Sequence, residues 1–158
     1  MLNDIITGIA KALGTTFGDE FRVYKNDVKQ GLTEPCFFIG RSTIDGYKLV
    51  FRGNSRSGVA NIEPCAGASV PVGIWSISPS DEDALDWYEG FPRLYVKQVF
   101  TLQVRGKMVK GMAYVMTPGH AITPPAKQYL NTIMEGYKDF GFDPAPLLAA
   151  AAEARKGE

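Results

Sequence analysis

The sequence predicts an α+β fold, a small mixed β-barrel or curled sheet with flanking helices. Three observations carry that prediction. Apolar residues recur at helical spacing near both ends of the chain, the middle from Tyr47 to Met116 is a series of β-like runs, and one short helix interrupts those runs near Ser80. Strands grouped together with helices set apart, rather than strict β-α-β alternation, argue for α+β. The chain has 158 residues, 45% apolar and 22% charged, enough for one well-buried domain. No internal repeat is visible.

The elements follow in order. Asn3 is placed to cap a helix with Ile5, Ile6, Ile9, Ala10 and Leu13 along one face, and Gly14 and Gly18 stop it. Phe21-Arg22-Val23-Tyr24 predicts a strand, and residues 31–35 a turn. Cys36-Phe37-Phe38-Ile39 predicts a second, more buried strand. Residues 47–51 alternate cleanly, Val59-Ala60-Asn61-Ile62 follows a Gly/Ser/Arg loop, and residues 69–77 form a third run. A helix starts near Ser80, a good cap with Asp83 three residues on, close to a capping box. Leu94 to Val104 is a long strand. Arg105-Gly106-Lys107 turns it into Met108 to Met116, making a hairpin. A Pro/Gly loop at 117–123 leads to Pro124 and Pro125, then to a helix with Tyr129, Leu130, Ile133, Met134 and Tyr137 on one face. Gly141-Phe142-Asp143-Pro144 closes it, and an Ala-rich helix over 145–154 ends the chain. The reading divides the chain at residue 42, into a helix-strand-strand segment (1–42) and a domain with C-terminal helices (43–158).

Charge and composition remove several function classes. Seventeen basic and seventeen acidic residues give zero net charge, so no electrostatic footprint for nucleic acid or anionic lipid is present. No apolar run approaches the roughly 20 residues that cross a membrane. The N-terminus lacks the basic and apolar regions of a signal peptide. Cys36 and Cys65 form no CxxC pair and read as reduced thiols of a cytoplasmic protein, with a disulfide or a reactive thiol as the alternative.

Chemistry-bearing motifs are few. Neither GxGxxG nor GxxxxGK[ST] occurs, so nothing points to a nucleotide. GxSxG is absent, and a single histidine, His120 in a Gly/Pro loop, makes a Ser/His/Asp arrangement a poor candidate. His120 reads as an exposed loop residue, with a general base as the alternative. One His and two distant Cys do not suggest a metal site. The most informative stretch is residues 80–95. Most of its acids suit a helix start, but Glu89 falls at the helix end, where a negative charge opposes the macrodipole. Trp87, Tyr88, Phe91 and Tyr95 surround it in sequence. Glu89 is then either a terminal carboxylate held by Arg93 or Lys97, or a general acid/base whose pKa burial would raise from near 4.3 toward neutrality. Tyr88, Tyr95 and Tyr114 would orient it or donate to a substrate, or serve as core aromatics.

From about Asp45 to Asp143 the chain resembles the γ-glutamylcyclotransferase-like family. Four segments carry the resemblance: residues 46–53; Ala60-Asn61-Ile62-Glu63-Pro64 with residues 69–73; residues 85–95, the most specific; and Ala113-Tyr114-Val115-Met116 with Pro124-Pro125 and residues 129–133. The resemblance implies that fold and an enzyme releasing 5-oxoproline from a γ-glutamyl amine, a small-molecule substrate. The substrate's α-amine attacks its own γ-carbonyl, so the site mainly holds a near-attack geometry. It places the catalytic glutamate on Glu89 and implies neither metal nor organic cofactor. From the residues themselves, Tyr95 and Tyr114 are expected to bind substrate, and Pro125, first a helix-start signal, is expected as a pocket wall beside it.

Family members open with a strand ending in Tyr-Gly-Ser-Asn, which faces the developing oxyanion. That opening is read as absent here, and the resemblance begins after it. Residues 1 to about 40 instead resemble a phage tail component of the tail-terminator type, through residues 2–6, 17–20 and 30–39. Gly40, Arg41 and Ser42 are the residues then expected to stand in for the opening loop as substrate binders. Loss of one oxyanion donor costs about 10²–10³ in kcat, so a weakened enzyme is one expectation. A γ-glutamyl-binding relic without turnover and a phage tail-associated structural protein are the others. A weak homodimer is left open.

Overall fold

The β-branched and aromatic residues between positions 37 and 76 form two long strands that make the spine of the fold. The computed structural model describes residues 3–7, 37–54, 57–77 and 79–157. In chain order the elements are β1 (Asn3–Thr7), β2 (Phe37–Asn54), β3 (Ser57–Ser76), α1 (Pro79–Tyr88), β4 (Tyr95–Val104), β5 (Lys107–Met116), β6 (Ala121–Ile122), α2 (Lys127–Phe140) and α3 (Ala145–Lys156). The expected runs at 37–39 and 47–51 are one continuous strand, as are those at 59–62 and 69–76.

β2 and β3 pair antiparallel from Asn54↔Ser57 out to Phe37↔Ser76. The ladder breaks where Asp45↔Ser69 gives way to Tyr47↔Pro64, and Gly46 (φ 77°) and Gly67 (φ 79°) occupy the break. Such bulges bend a strand pair and increase its twist, which curls the sheet at this point. Pro64 and Pro71 lie on β3 outside the stretch Val72–Ser76 that pairs with β1. Their missing N–H groups therefore cost no bond on that side.

The N-terminal helix expectation fails at its start. Asn3–Thr7 is a strand, antiparallel to Val72–Ser76 of β3 and parallel to β5 at Asp4↔Met112. Ile5, Ile6 and Thr7 are β-branched residues that suit a pleated strand. The slot between β3 and β5 supplies backbone partners that a short isolated helix would lack, and this overrides the local 3.6-residue period. The other expectations between residues 8 and 36, including the strand at 21–24 and Cys36, lie outside the described residues.

The sheet order is β4-β5-β1-β3-β2-β6, so the sheet is curled and mixed but not closed into a barrel. β2 and β4 face each other through side chains. Tyr47 and Phe100 meet edge to face at 5.3 Å, Gln98 donates to the Tyr47 hydroxyl at 2.9 Å, and Ser42 donates to the Gln103 carbonyl at 2.7 Å. Side chains filling this seam hold the two ribbons apart as layers, and no ladder is described between them.

Two cores result. Ile44, Ile62, Val70, Val72 and Ile74 pack against Phe100, Leu102, Val104 and Ala113 inside the curl. On the other side Leu49, Phe51 and Ala60 pack against Leu130, Ile133 and Tyr137 of α2 and Leu147, Ala150, Ala151 and Ala154 of α3. The alanines present a low profile, which lets α3 lie close to β2. No described helix is long and apolar enough to cross a membrane.

Candidate active site

α1 opens with Pro79, whose fixed φ suits the first helical turn, and carries Asp81 and Glu82 where the macrodipole favours acids. Ser80 is thus inside the first turn rather than capping it. The helix ends in a Schellman arrangement. Gly90 takes φ 66°, its N–H donates to the Trp87 carbonyl at 3.2 Å, and the Phe91 N–H donates to the Asp86 carbonyl at 2.9 Å. Glu89 is therefore the C-cap, its own N–H still bonded to the Leu85 carbonyl at 2.8 Å.

Glu89 is buried, with 5% of its surface exposed. Of the four aromatics expected around it, Tyr95 is buried beside it and the other three are exposed. Trp87 is 86% exposed, and Tyr88 and Phe91 are exposed as well. Two residues along a helix turn the side chain about 200°, so Trp87 and Glu89 cannot share a face. The aromatics that do flank the carboxylate electrostatically are Tyr95, the first residue of β4, and Tyr129, in the first turn of α2.

Both phenols are anchored on one residue of β3. Tyr95 donates its hydroxyl to the Ala60 carbonyl at 3.0 Å, and the Ala60 N–H donates to the Tyr129 hydroxyl at 3.1 Å. Burial pushes the Tyr95 phenol well above its ordinary value, and the neighbouring Tyr129 and Glu89 push it further. Burial likewise raises Tyr129. The Ala60 N–H opposes that shift, and Glu89 and Tyr88 add to it. Next along β3, the buried Asn61 accepts the Met116 N–H at 2.8 Å, tying the end of β5 to the same place.

A polar network docks α1 on the β4–β5 hairpin. Lys97 of β4 lies 2.5 Å from Glu82 Oε1 and 2.7 Å from Asp86 Oδ1, and Tyr114, opposite Lys97 on β5, donates to Asp86 Oδ1 at 2.5 Å. Burial pulls the Lys97 pKa down, but hydrogen bonds and charge from Asp86 and Glu82 outweigh it and hold it above the ordinary lysine value. The sequence alternative of Lys97 holding Glu89 gives way to these two partners.

The predicted substrate neighbours divide into two places. Tyr95 stands beside Glu89. Pro125 is close by through β3: it bridges Gly58, whose N–H donates to the Pro124 carbonyl at 2.9 Å. Tyr114 touches Asp86. Gly40, Arg41 and Ser42 sit at the opposite end of β4. A Cβ on Gly40 would lie 2.7 Å from Val104, and Ser42 bonds Gln103. From Tyr95 to Gln103 the strand runs eight residues, roughly 26 Å. Arg41 is committed elsewhere, donating to the Phe140 carbonyl at 2.6 Å at the C-terminus of α2. Ser42 also lines a cleft of about 400 Å³ with Asp45, Phe100, Gln103 and Met108, which does not include Glu89.

His120 is partly buried rather than free in its loop: its ring meets the Thr117 hydroxyl at 3.2 Å and its carbonyl accepts Arg52 at 2.9 Å. Cys65 is a free thiol. No group of three or more His, Cys, Asp or Glu among the described residues could hold a metal ion. Sequence reading missed Tyr129, Asn61 and the Asp86–Lys97 pair as parts of the site. Asn61 left a signal, as a polar residue between the apolar Ala60 and Ile62 of a core strand.

Residues 21–137 match the protein family described as Gamma-glutamyl cyclotransferase, AIG2-like. No curated protein matches the chain. Among solved structures, one described as a gamma-glutamyl cyclotransferase aligns with TM-score 0.68 at 20% identity, covering 98% of this chain and 86% of that one. An uncharacterized protein from Homo sapiens aligns with TM-score 0.69 at 22% identity, covering 96% and 86%. YkqA from Bacillus subtilis aligns with TM-score 0.73 at 16% identity, and 98% of this chain spans only 54% of that one. At these identities the likeness is one of fold.

Proposed function

Because this chain belongs to the gamma-glutamyl cyclotransferase, AIG2-like family, we propose that it releases 5-oxoproline from a γ-glutamyl amine, with Glu89 as acid and base. The substrate's α-nitrogen forms a bond to its own γ-carbon, closing a five-membered ring. The bond from that carbon to the leaving nitrogen breaks. Glu89 takes one proton from the α-ammonium, leaving a neutral amine to attack, and gives it to the departing nitrogen; the second proton that the ring nitrogen sheds on becoming an amide N–H follows to the released amine, which leaves as an ammonium. Nucleophile and electrophile lie in one molecule, so atoms and charge balance without a co-reactant. The site contributes orientation and proton transfer, the latter on the order of 10²–10⁴-fold.

The observation that carries this reading is the placement of Glu89: a buried carboxylate, fixed at a helix C-cap, whose charge is felt by two phenols anchored on Ala60. The raised phenols stay protonated at neutral pH. Glu89 is the carboxylate beside them.

The oxyanion donors are a separate matter. Gly40–Ser42 stand too far along β4 to face Glu89. The family match starts at residue 21, well before Asp45, and so includes residues preceding Gly40–Ser42. We therefore place the counterpart of the opening motif in Tyr24-Lys25-Asn26-Asp27, where Tyr24 repeats the tyrosine and Asn26 and Asp27 supply polar groups. The match also takes in residues 30–39, on which the tail-component resemblance partly rested, and so supports an enzyme over an assembly role.

A panel of γ-glutamyl amines incubated with the protein, with 5-oxoproline read by mass spectrometry, tests the activity. Product that rises with enzyme concentration is the expected result. Ligand-induced shifts in melting temperature without product would instead identify a binding relic.

A further inference from the structure

A ten-residue helix is marginal in water, and its last turn is where it frays. α1 buries little to hold it: Asp81 is its one buried residue. Yet the C-cap of this helix is Glu89, and the proposed chemistry needs that carboxylate held to within a fraction of an ångström. Polar contacts to β4 and β5 supply the hold.

Lys97 is the centre of those contacts. Its ammonium lies 2.5 Å from Glu82 Oε1, and 2.7 and 2.8 Å from the two oxygens of Asp86. Glu82 and Asp86 are one turn apart on a single face of α1, where two like charges repel unless a cation sits between them. The same ammonium lies 4.9 Å from the centre of the Phe91 ring, a cation–π contact. Asp86 is three residues before Glu89, and Phe91 two after. One side chain on a rigid strand thus grips the chain on both sides of Glu89. Tyr114, paired with Lys97 across the hairpin, gives its hydroxyl to Asp86 Oδ1 at 2.5 Å.

We infer that Lys97, assisted by Tyr114, is a positioning residue that fixes Glu89 beside Tyr95 and Tyr129. The inference rests on the reading of Glu89 as the acid and base. Lys97 itself touches no reacting atom in this scheme. Removing its charge leaves Glu82 and Asp86 repelling each other and frees the α1 terminus.

Lys97→Met, Lys97→Arg and Tyr114→Phe test this by two independent readouts. The first is amide hydrogen exchange, which needs no substrate. Lys97→Met speeds exchange at Glu89, Gly90 and Phe91 by about ten-fold or more while amides of α2 from Leu130 to Tyr137 keep their protection. The second is turnover of γ-glutamyl-p-nitroanilide. Lys97→Met lowers kcat by about 10²-fold with KM changed by no more than about two-fold. Lys97→Arg, which keeps the charge, recovers most of both losses, and Tyr114→Phe shows a smaller effect in the same direction. Unchanged exchange at 89–91 overturns the inference, as does an equal loss of kcat in the Arg and Met variants. If Lys97→Met does not fold, Tyr114→Phe and Lys97→Arg decide. If the wild-type chain turns over no γ-glutamyl amine, the proposed activity falls, and the exchange data alone still decide the positioning role.

Discussion

The hydroxyl of Tyr95 donates to the carbonyl of Ala60 at 3.0 Å, fixing the start of β4 to β3 at the residue that also holds Tyr129. Tyr95 is 4% exposed, so the bond is shielded from water. Tyr95→Phe keeps the ring and removes the bond. The expected loss is about 1 kcal/mol, read as a lower urea midpoint at unchanged m. A stability equal to wild type would show that the hydroxyl holds nothing.

Alkaline pH should unfold this protein early. Tyr95, Tyr129 and Tyr137 are all held above the ordinary tyrosine value of 10.0, chiefly by burial. Below that value both folded and unfolded chains keep these protons, and the contribution to stability is complete. Above it the unfolded chain releases protons that the folded chain retains, so stability falls as pH rises. The slope reaches about 1.4 kcal/mol per pH unit for each tyrosine. Lys97, also raised, adds in the same direction. Urea midpoints measured from pH 9 to pH 11 should decline, and Tyr137→Phe should make the decline shallower. A flat profile over that range would contradict the burial of these groups.

Tyr137 offers the opposite test to Tyr95. It is almost fully buried in the core of α2 and α3, its ring edge-to-face with Phe142 at 5.7 Å, and its hydroxyl has no hydrogen-bond partner among the described residues. Leaving a buried hydroxyl unpaired costs about 1–3 kcal/mol. Tyr137→Phe should therefore leave stability unchanged or raise it by about 1 kcal/mol, seen as a higher melting temperature. A marked loss would mean that the hydroxyl has a bound water or another partner.

The strap at residues 123–125 depends on Gly58. A Cβ there would lie 1.8 Å from the Thr123 carbonyl oxygen, a backbone atom that cannot swing away. Gly58→Ala should cost about 1–3 kcal/mol and push the Pro125 segment off β3. The predicted signature is a lower melting temperature with chemical-shift changes spreading from Thr123 to Tyr129. Shifts confined to residue 58 would refute the contact.

Local chemistry was enough to find part of this architecture. The sequence around Glu89 states its own geometry: a Gly that can take a positive φ follows it and ends the helix, so the C-cap position was legible. Pro124, Pro125 and Gly141 likewise bounded α2. Long-range pairing was not legible. Ile5 and Ile6 fit a helical face and a strand equally, and only the slot between β3 and β5 decides between them. Gly40-Arg41-Ser42 had the small and polar residues of a binding turn. Their true setting follows from the antiparallel course of β2 and β4, which carries them to the hairpin end of β4. Tyr129 was recognised as part of an apolar helix face, but its hydroxyl contact with Ala60 depends on how α2 docks on β3. Asp86 and Lys97 are eleven residues apart in sequence, with nothing local to pair them.

The most direct test of the central claim compares Glu89→Gln with the wild-type chain on the same γ-glutamyl amines. Gln keeps the size and polarity of Glu89 but cannot serve as a carboxylate acid and base. The account predicts 5-oxoproline from the wild type, a loss of at least about 10²-fold in kcat for Glu89→Gln, and little change in melting temperature. Equal rates of 5-oxoproline release from the two proteins would contradict it.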